Sequence, residues 1–238
     1  MSRKFEVRTE NRVDGTPAQA WDAVVNGNSG WLWPMEVEPK LGGAGPFGSE
    51  VTAWEPPNHF ANHVDGPDGF FNTLDYQIEA AADGGAWIRY MHAGVFLQEM
   101  DDTECGNQYD GVRLHTDFYQ HTLGQYVKHF AGQQAAFTDI QGPAESQSAT
   151  GFQLLESAIG ADASVDTEVS FTVPGIGEIR GVLDYATEHF AGVRTSSAMY
   201  RFFGRNAFGQ VVGMTVHEFE PGAATNEAAW QSWLDGLY

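Results

Sequence analysis

Residues 73–96 read TLDYQIEAAADGGAWIRYMHAGVF, from Thr73 to Phe96. Apolar and polar side chains alternate strictly from Thr73 to Glu79, which puts Leu74, Tyr76 and Ile78 on one face of a strand. Ala80–Gly85 reads as a hairpin turn and Trp87–Phe96 as the return strand. With Ile88 and Tyr90 on the same face as Tyr76, the two-residue period carries His92 there too. Such a face needs a covering layer. Tyr109–Phe130 supplies one, because Val112, Tyr119, Leu123, Val127 and Phe130 recur at helical spacing with no proline. Upstream, Glu50–Glu55, closed by Pro56-Pro57, and His59–Val64 read as two short strands, and Phe5–Val13 as an extended segment. Thr16 as N-cap, Pro17 at the first helical position and Gln19 three residues after the cap predict a short helix ending at Asn26-Gly27. The result is an antiparallel meander under a long amphipathic helix, an α+β arrangement.

Downstream, residues 133–149 are rich in Gln, Ala, Ser and Gly and contain Pro143, which predicts a linker. Phe152–Ile159 then reads as a helix, followed by strands over Asp166–Val173, Glu178–Tyr185, His189–Val193, Ala198–Phe203 and Gln210–Phe219, and a helix over Asn226–Leu237. The expected division is a domain over 1–132, a linker over 133–149 and a second α+β domain over 150–238. The order helix, strands, helix recurs in both halves. Their shared residues are few: His59-Phe60-Ala61 against His189-Phe190-Ala191, and Ala20-Trp21 against Ala229-Trp230. An internal repeat and an unrelated second domain both fit.

The chain carries 12 Lys and Arg against 32 Asp and Glu, a net charge of −20, with 42% hydrophobic residues. A surface this acidic repels phosphate backbones and anionic lipid, so neither nucleic acid nor a membrane surface is an expected partner. Apolar runs are short and the first residues are charged, so neither a membrane span nor a signal peptide is expected. One cysteine, Cys105, excludes an intrachain disulfide and a cysteine-type zinc site. The expected setting is cytoplasmic.

Four stretches, in this order, carry a resemblance: Pro17–Val25 with Trp21; Gly42-Gly43 followed by Gly48–Phe60; Gly84–Phe96; and the helix through Phe130. Over about residues 3–131 the chain resembles the START-like (SRPBCC) superfamily. Within it the chain is most similar to the family named after the C-terminal domain of heat-shock-protein ATPase activators (Aha-type). The resemblance implies a helix-grip (START-like, Bet v-like) fold, in which a curved antiparallel sheet wraps the long C-terminal helix around a cavity, with the second half a partial copy lacking its first strand. Members bind or transform apolar and aromatic molecules, and some are cyclases, dehydratases or chaperone cofactors.

On the inward face, His92 would be the polar group in an apolar cavity, either hydrogen-bonding a ligand beside Tyr76 and Tyr90 or satisfied by backbone at a strand end. Trp31, Trp33, Met35 and Trp54 cluster around the glycine-rich turn Leu41–Gly48 and suit either a cavity mouth or a plain aromatic core. The expected ligand-binding set is Trp31, Trp33, Trp54, Phe60, Tyr76, Tyr90, His92, Phe118 and Tyr119, around a space of roughly 300 Å³ or more. His59 with His63, and Asp117 with His121, are pairs without the third ligand that a catalytic zinc needs. The glycine-rich turns precede strands and not helices, so they are not phosphate loops. Ser29, Ser49 and Cys105 lack a nucleophile-elbow setting, and Cys105 falls in the acidic loop Asp101–Glu104. Glu36, Glu38 and Glu55 read as solvated carboxylates. No cofactor, metal or catalytic residue is expected. The leading expectation is binding of a small apolar or aromatic molecule; the alternatives are a polyketide cyclase or dehydratase using His92, and a chaperone-cofactor-like module meeting a protein partner or a second copy.

Overall fold

The computed structural model describes residues 3–96 and 101–238, and the chain divides into two compact units, Met1–Gln133 and Gln134–Tyr238. The first unit comprises β1 (Arg3–Val13), α1 (Pro17–Val25), β2 (Glu50–Glu55), β3 (His59–Asp65), β4 (Phe71–Ala80), β5 (Ala86–Phe96) and α2 (Asp102–His129). Its strands form one antiparallel sheet in the order β1-β5-β4-β3-β2, a meander closed by the first strand pairing with the last. This is the helix-grip, START-like fold. Register follows the alternation: Tyr76 lies opposite Tyr90, Leu74 opposite His92 and Ile78 opposite Ile88. Ile78, Ile88 and Ala86 are fully buried, with α1 packed over β4 and β5.

Local chemistry sets both helix starts. At α1, Gln19 N–H donates to Thr16 Oγ1 at 3.3 Å and Thr16 N–H donates to Gln19 Oε1 at 2.9 Å, the expected capping box. The start of α2 lies at Asp102, well before Tyr109. Asp101 Oδ1 accepts from Thr103 N–H at 2.8 Å and Glu104 N–H at 2.9 Å, while Glu104 Oε2 accepts from Asp101 N–H at 3.0 Å. The run read as an acidic loop is therefore a helix cap and first turn, where carboxylates meet the positive end of the helix dipole. Cys105 lies in that helix.

The segment expected to be a linker is largely structured. Residues Ala136–Gln141 form β6, and Ser146 is fully buried, its hydroxyl donating to Pro143 O at 2.6 Å and accepting from Val212 N–H at 3.1 Å. As an edge strand, β6 pairs on one side only and places Thr138 and Ile140 against the core, so its few apolar residues suffice. The unit continues with α3 (Gly151–Ile159), β7 (Glu168–Val173), β8 (Gly177–Ala186), β9 (Phe190–Arg194), β10 (Ala198–Phe203), β11 (Gly213–Glu218) and α4 (Glu227–Asp235). Its sheet order is β6-β11-β10-β9-β8-β7. Because β6 pairs antiparallel with β11 as β1 does with β5, the second unit repeats the path of the first with one added strand. It therefore has its first strand, and the expectation of a copy without one is corrected.

The helix-facing side of the second sheet is packed with rings. Phe171 lies 5.6 Å from Trp233, Tyr200 5.4 Å from Trp230, and the two indoles are 5.9 Å apart. On the other face Arg201 and Asp184, both buried, form a two-point ion pair, with Nη2 2.9 Å from Oδ2. Asp184 sits at a β-bulge in β8, and a Cβ at Gly192 would collide with the Arg201 guanidinium. Among the described residues, no helix is long and apolar enough to cross a membrane.

Candidate ligand-binding face of the first unit

Register orders the helix-facing side of the first sheet into rows. Val13 and Ala86 lie at one end, followed by Asn11, Ile88 and Ile78, and then by Thr9, Tyr90, Tyr76, Phe60 and Trp54. Next come Val7, His92, Leu74 and Asn62, and finally Phe5, Gly94, Asn72 and Val64. In a layer packed throughout, the middle strands would be the most buried. In the fourth row the reverse holds: Val7 and Asn62 at the flanks are buried, whereas His92 and Leu74 between them are only half-buried. The face is thus sealed under α1 and reachable at its centre one row past the tyrosine pair.

The polar groups around this opening are neutral. The Tyr76 and Tyr90 rings lie 4.6 Å apart and both are buried. Burial pushes both phenols well above their ordinary pKa, with hydrogen bonding from Tyr90 and Gln120 partly opposing the rise at Tyr76. Gln120 Oε1 in turn accepts from Asn11 Nδ2 at 3.3 Å. Phe5 stands edge-on to His92 at 5.0 Å, and Tyr90 lies 6.5 Å away. Asn72 Nδ2 can only donate, so its 3.0 Å contact makes His92 Nε2 the acceptor and leaves the ring proton on Nδ1. Burial pushes the His92 pKa down to about 4, so the imidazole is neutral at physiological pH.

Beside this cluster, Trp33 stands edge-on to Tyr119 at 5.8 Å and to Phe47 at 6.3 Å. Its indole N–H is buried and has no hydrogen-bond partner among the described residues, a state costing about 1–3 kcal/mol. Phe47 is 79% exposed and takes a left-handed conformation, φ +56°, at the tip of the glycine-rich turn.

The nine expected residues therefore fall into two groups. Tyr76, Tyr90 and His92 lie at the opening, with Tyr119 beside Tyr90 and Trp33 against Tyr119. Trp54 and Phe60 pack with Trp21 of α1, at 5.0 Å from Trp21 to Trp54 and 6.1 Å from Trp54 to Phe60, and belong to the sealed end. Trp31 is fully buried and its indole donates to Ala23 O at 2.9 Å, which makes it a core anchor. Phe118 is fully buried and points about 100° around the helix from Tyr119. Sequence reasoning missed Asn11, Asn72 and Gln120. Asn72 was within reach, since it shares the alternation of Leu74 and Tyr76.

On the opposite face of this sheet, His59 Nε2 lies 2.9 Å from Asp75 Oδ2, and His63 contacts Thr73 Oγ1 at 2.7 Å and Asp65 at 3.2 Å. A depression of about 300 Å³ is lined mostly from that outer side, by Arg8, Glu10, Asp75, Gln77, Arg89 and Met91, together with Thr9 and Tyr90 of the same strands, where the sequence pointed to the inner side. Its guanidinium groups already have partners, Arg8 with Glu6 at 2.8 Å and Arg89 with Glu10 at 2.6 Å and Glu79 at 2.8 Å. This is the chemistry of a solvated, ion-paired surface. Among the described residues no three His, Cys, Asp or Glu side chains gather as a metal site.

No family model matches the chain, and no curated protein matches it. Among solved structures it is similar to protein MLL2253 from Mesorhizobium loti, at 17% identity over 53% of this chain and 98% of that one, with a TM-score of 0.41. CalU16 from Micromonospora echinospora is 14% identical over 53% of this chain and 84% of its own, with a TM-score of 0.37. DynU16, from the dynemicin biosynthetic locus, is 14% identical over 98% of this chain and 97% of its own, with a TM-score of 0.41.

Proposed function

We propose that the first unit binds a small, largely apolar or aromatic molecule on the helix-facing side of its sheet, at the opening over Leu74 and His92. The observation that carries this reading is the inverted burial of the fourth row, central residues half-buried between buried flanks. Rings of Phe5 and Tyr90 beside His92, with Tyr119 next to Tyr90 and Trp33 against Tyr119, supply flat apolar surface, and the tyrosine, asparagine, glutamine and histidine side chains supply orientation. Catalysis by His92 is disfavoured. A base whose conjugate acid has a pKa of about 4 has little driving force to take a proton at neutral pH.

The test is to fill the opening. Native mass spectrometry of the freshly purified chain and equilibrium dialysis with fluorene, an apolar tricyclic probe, are compared between the wild type and Leu74→Trp. The expected outcome is a bound small molecule or fluorene binding in the wild type, with at least a tenfold loss in the variant. Fluorene affinity unchanged by Leu74→Trp, or a wild-type chain that neither carries a small molecule nor takes up fluorene, overturns the proposal.

A further inference from the structure

We infer that the ligand of this face is uncharged and presents a carbonyl-type acceptor oxygen, which the indole N–H of Trp33 recognises. This rests on the ligand-binding reading above and narrows its chemical class. Charge is sorted by face in these strands. The inner positions from Phe5 to Val13, Phe60 to Val64, Asn72 to Ala80 and Ala86 to Gly94 include no Asp, Glu, Lys or Arg, although the chain has 32 acidic residues. The outer positions of the same strands carry Glu6, Arg8, Glu10, Asp75, Glu79 and Arg89. An ion on the inner face would lose hydration and meet no counter-charge from the sheet.

Hydrogen-bonding capacity gives the second half of the argument. Asn11, Gln120, Tyr76 and Tyr90 engage one another. One buried donor is left over. The Trp33 indole N–H is buried without a partner. His92 accepts from Asn72 at Nε2. An indole N–H can only donate, so the group that satisfies it must be an acceptor. Trp230 in the second unit also has a buried, unpartnered N–H, but its ring is fully buried inside a packed aromatic cluster. Trp33 is only half-buried and is flanked by the exposed Phe47 on the turn that would have to yield to a ligand.

Three probes of one shape separate the possibilities: fluorene, 9-fluorenone and fluorene-9-carboxylate, each measured by equilibrium dialysis against the full chain. The ketone is expected to bind about fivefold or more tightly than fluorene, the gain of a made hydrogen bond, and at least tenfold more tightly than the carboxylate. Trp33→Phe keeps a ring and removes the donor, and should lower the ketone-to-fluorene ratio toward one. Equal binding of ketone and hydrocarbon, a preference for the carboxylate, or a ratio unmoved in Trp33→Phe overturns the inference while leaving ligand binding intact. A chain that takes up none of the three probes and carries no small molecule in native mass spectrometry overturns the ligand-binding reading itself.

Discussion

In the second unit, the side of the sheet covered by helices is filled by Phe171, Tyr200, Phe202, Trp230 and Trp233, all buried and in ring contact. In the first unit the same side leaves His92 and Leu74 half-exposed at its centre. The chain path is the same, with the final helix of each unit lying against the first strand. What differs is the closing helix and what it projects. The nine residues of α4 insert two indoles, whereas α2, with 28 residues, meets the sheet with Gln120, Leu123 and Tyr119. The closing helices thus differ in what they project onto a shared chain path, so the topology alone assigns no function to either unit. The units also bury polarity differently: the second buries an Arg–Asp ion pair on one face of its sheet, whereas the inner face of the first sheet carries neutral polar groups.

The sharpest way to break this comparison is to remove one of those indoles. Trp230 is fully buried and touches Tyr200 and Trp233, so Trp230→Ala should destabilise the protein by about 3–5 kcal/mol, read by urea unfolding followed by circular dichroism. A cost below about 1 kcal/mol would mean that the second interior is as open as the first.

A smaller effect separates the units by pH. The His92 pKa in the folded chain is pushed down to about 4 from an ordinary value of 6.5, so the unfolded chain binds the proton more readily between those values. Stability from keeping His92 neutral is therefore present above pH 6.5, is lost as pH falls toward 4, and levels off below it. The groups in contact with the ring are Phe5, Tyr90 and Asn72, none of which titrates in that window. Subtracting the pH profile of His92→Gln from that of the wild type removes the carboxylates common to both. The difference should amount to about 2–3 kcal/mol across the window; a flat difference would show His92 to be solvated.

Much of this was legible in the residues, and the misses have physical causes. Alternation over Thr73–Glu79 fixed which side chains face the helices, because a one-residue slip in register would have exposed Leu74, Tyr76 and Ile78 together. Thr16 and Gln19 announced α1 because a capping box is local chemistry. β6 was hidden because an edge strand needs little apolar sequence, and the start of α2 because Asp101 and Glu104 resemble a solvated acidic run until their backbone bonds are seen. On the helix-facing side of the first sheet, parity placed Tyr76, Tyr90 and His92 together, as the register has them. It could not separate Trp31 from Trp33, since only one of these indoles finds a carbonyl, Ala23 O, and that depends on how the turn after α1 folds back.

The smallest expected effect is also the most direct test of the difference between the interiors. Leu74 lies on the inner face of β4 opposite His92 and is half-buried, whereas Leu234 on α4 is fully buried in the second core. Both are leucines, so their transfer free energies to water are equal, and the cost of truncation differs only in how many atoms surround each one. Leu234→Ala removes contacts on all sides and leaves a hole, for about 2–5 kcal/mol. At Leu74 one side already faces the opening, so Leu74→Ala should cost about 1 kcal/mol or less, measured by the same urea titration. If the two truncations cost the same, the face over Leu74 is packed, and a ligand would have no place there.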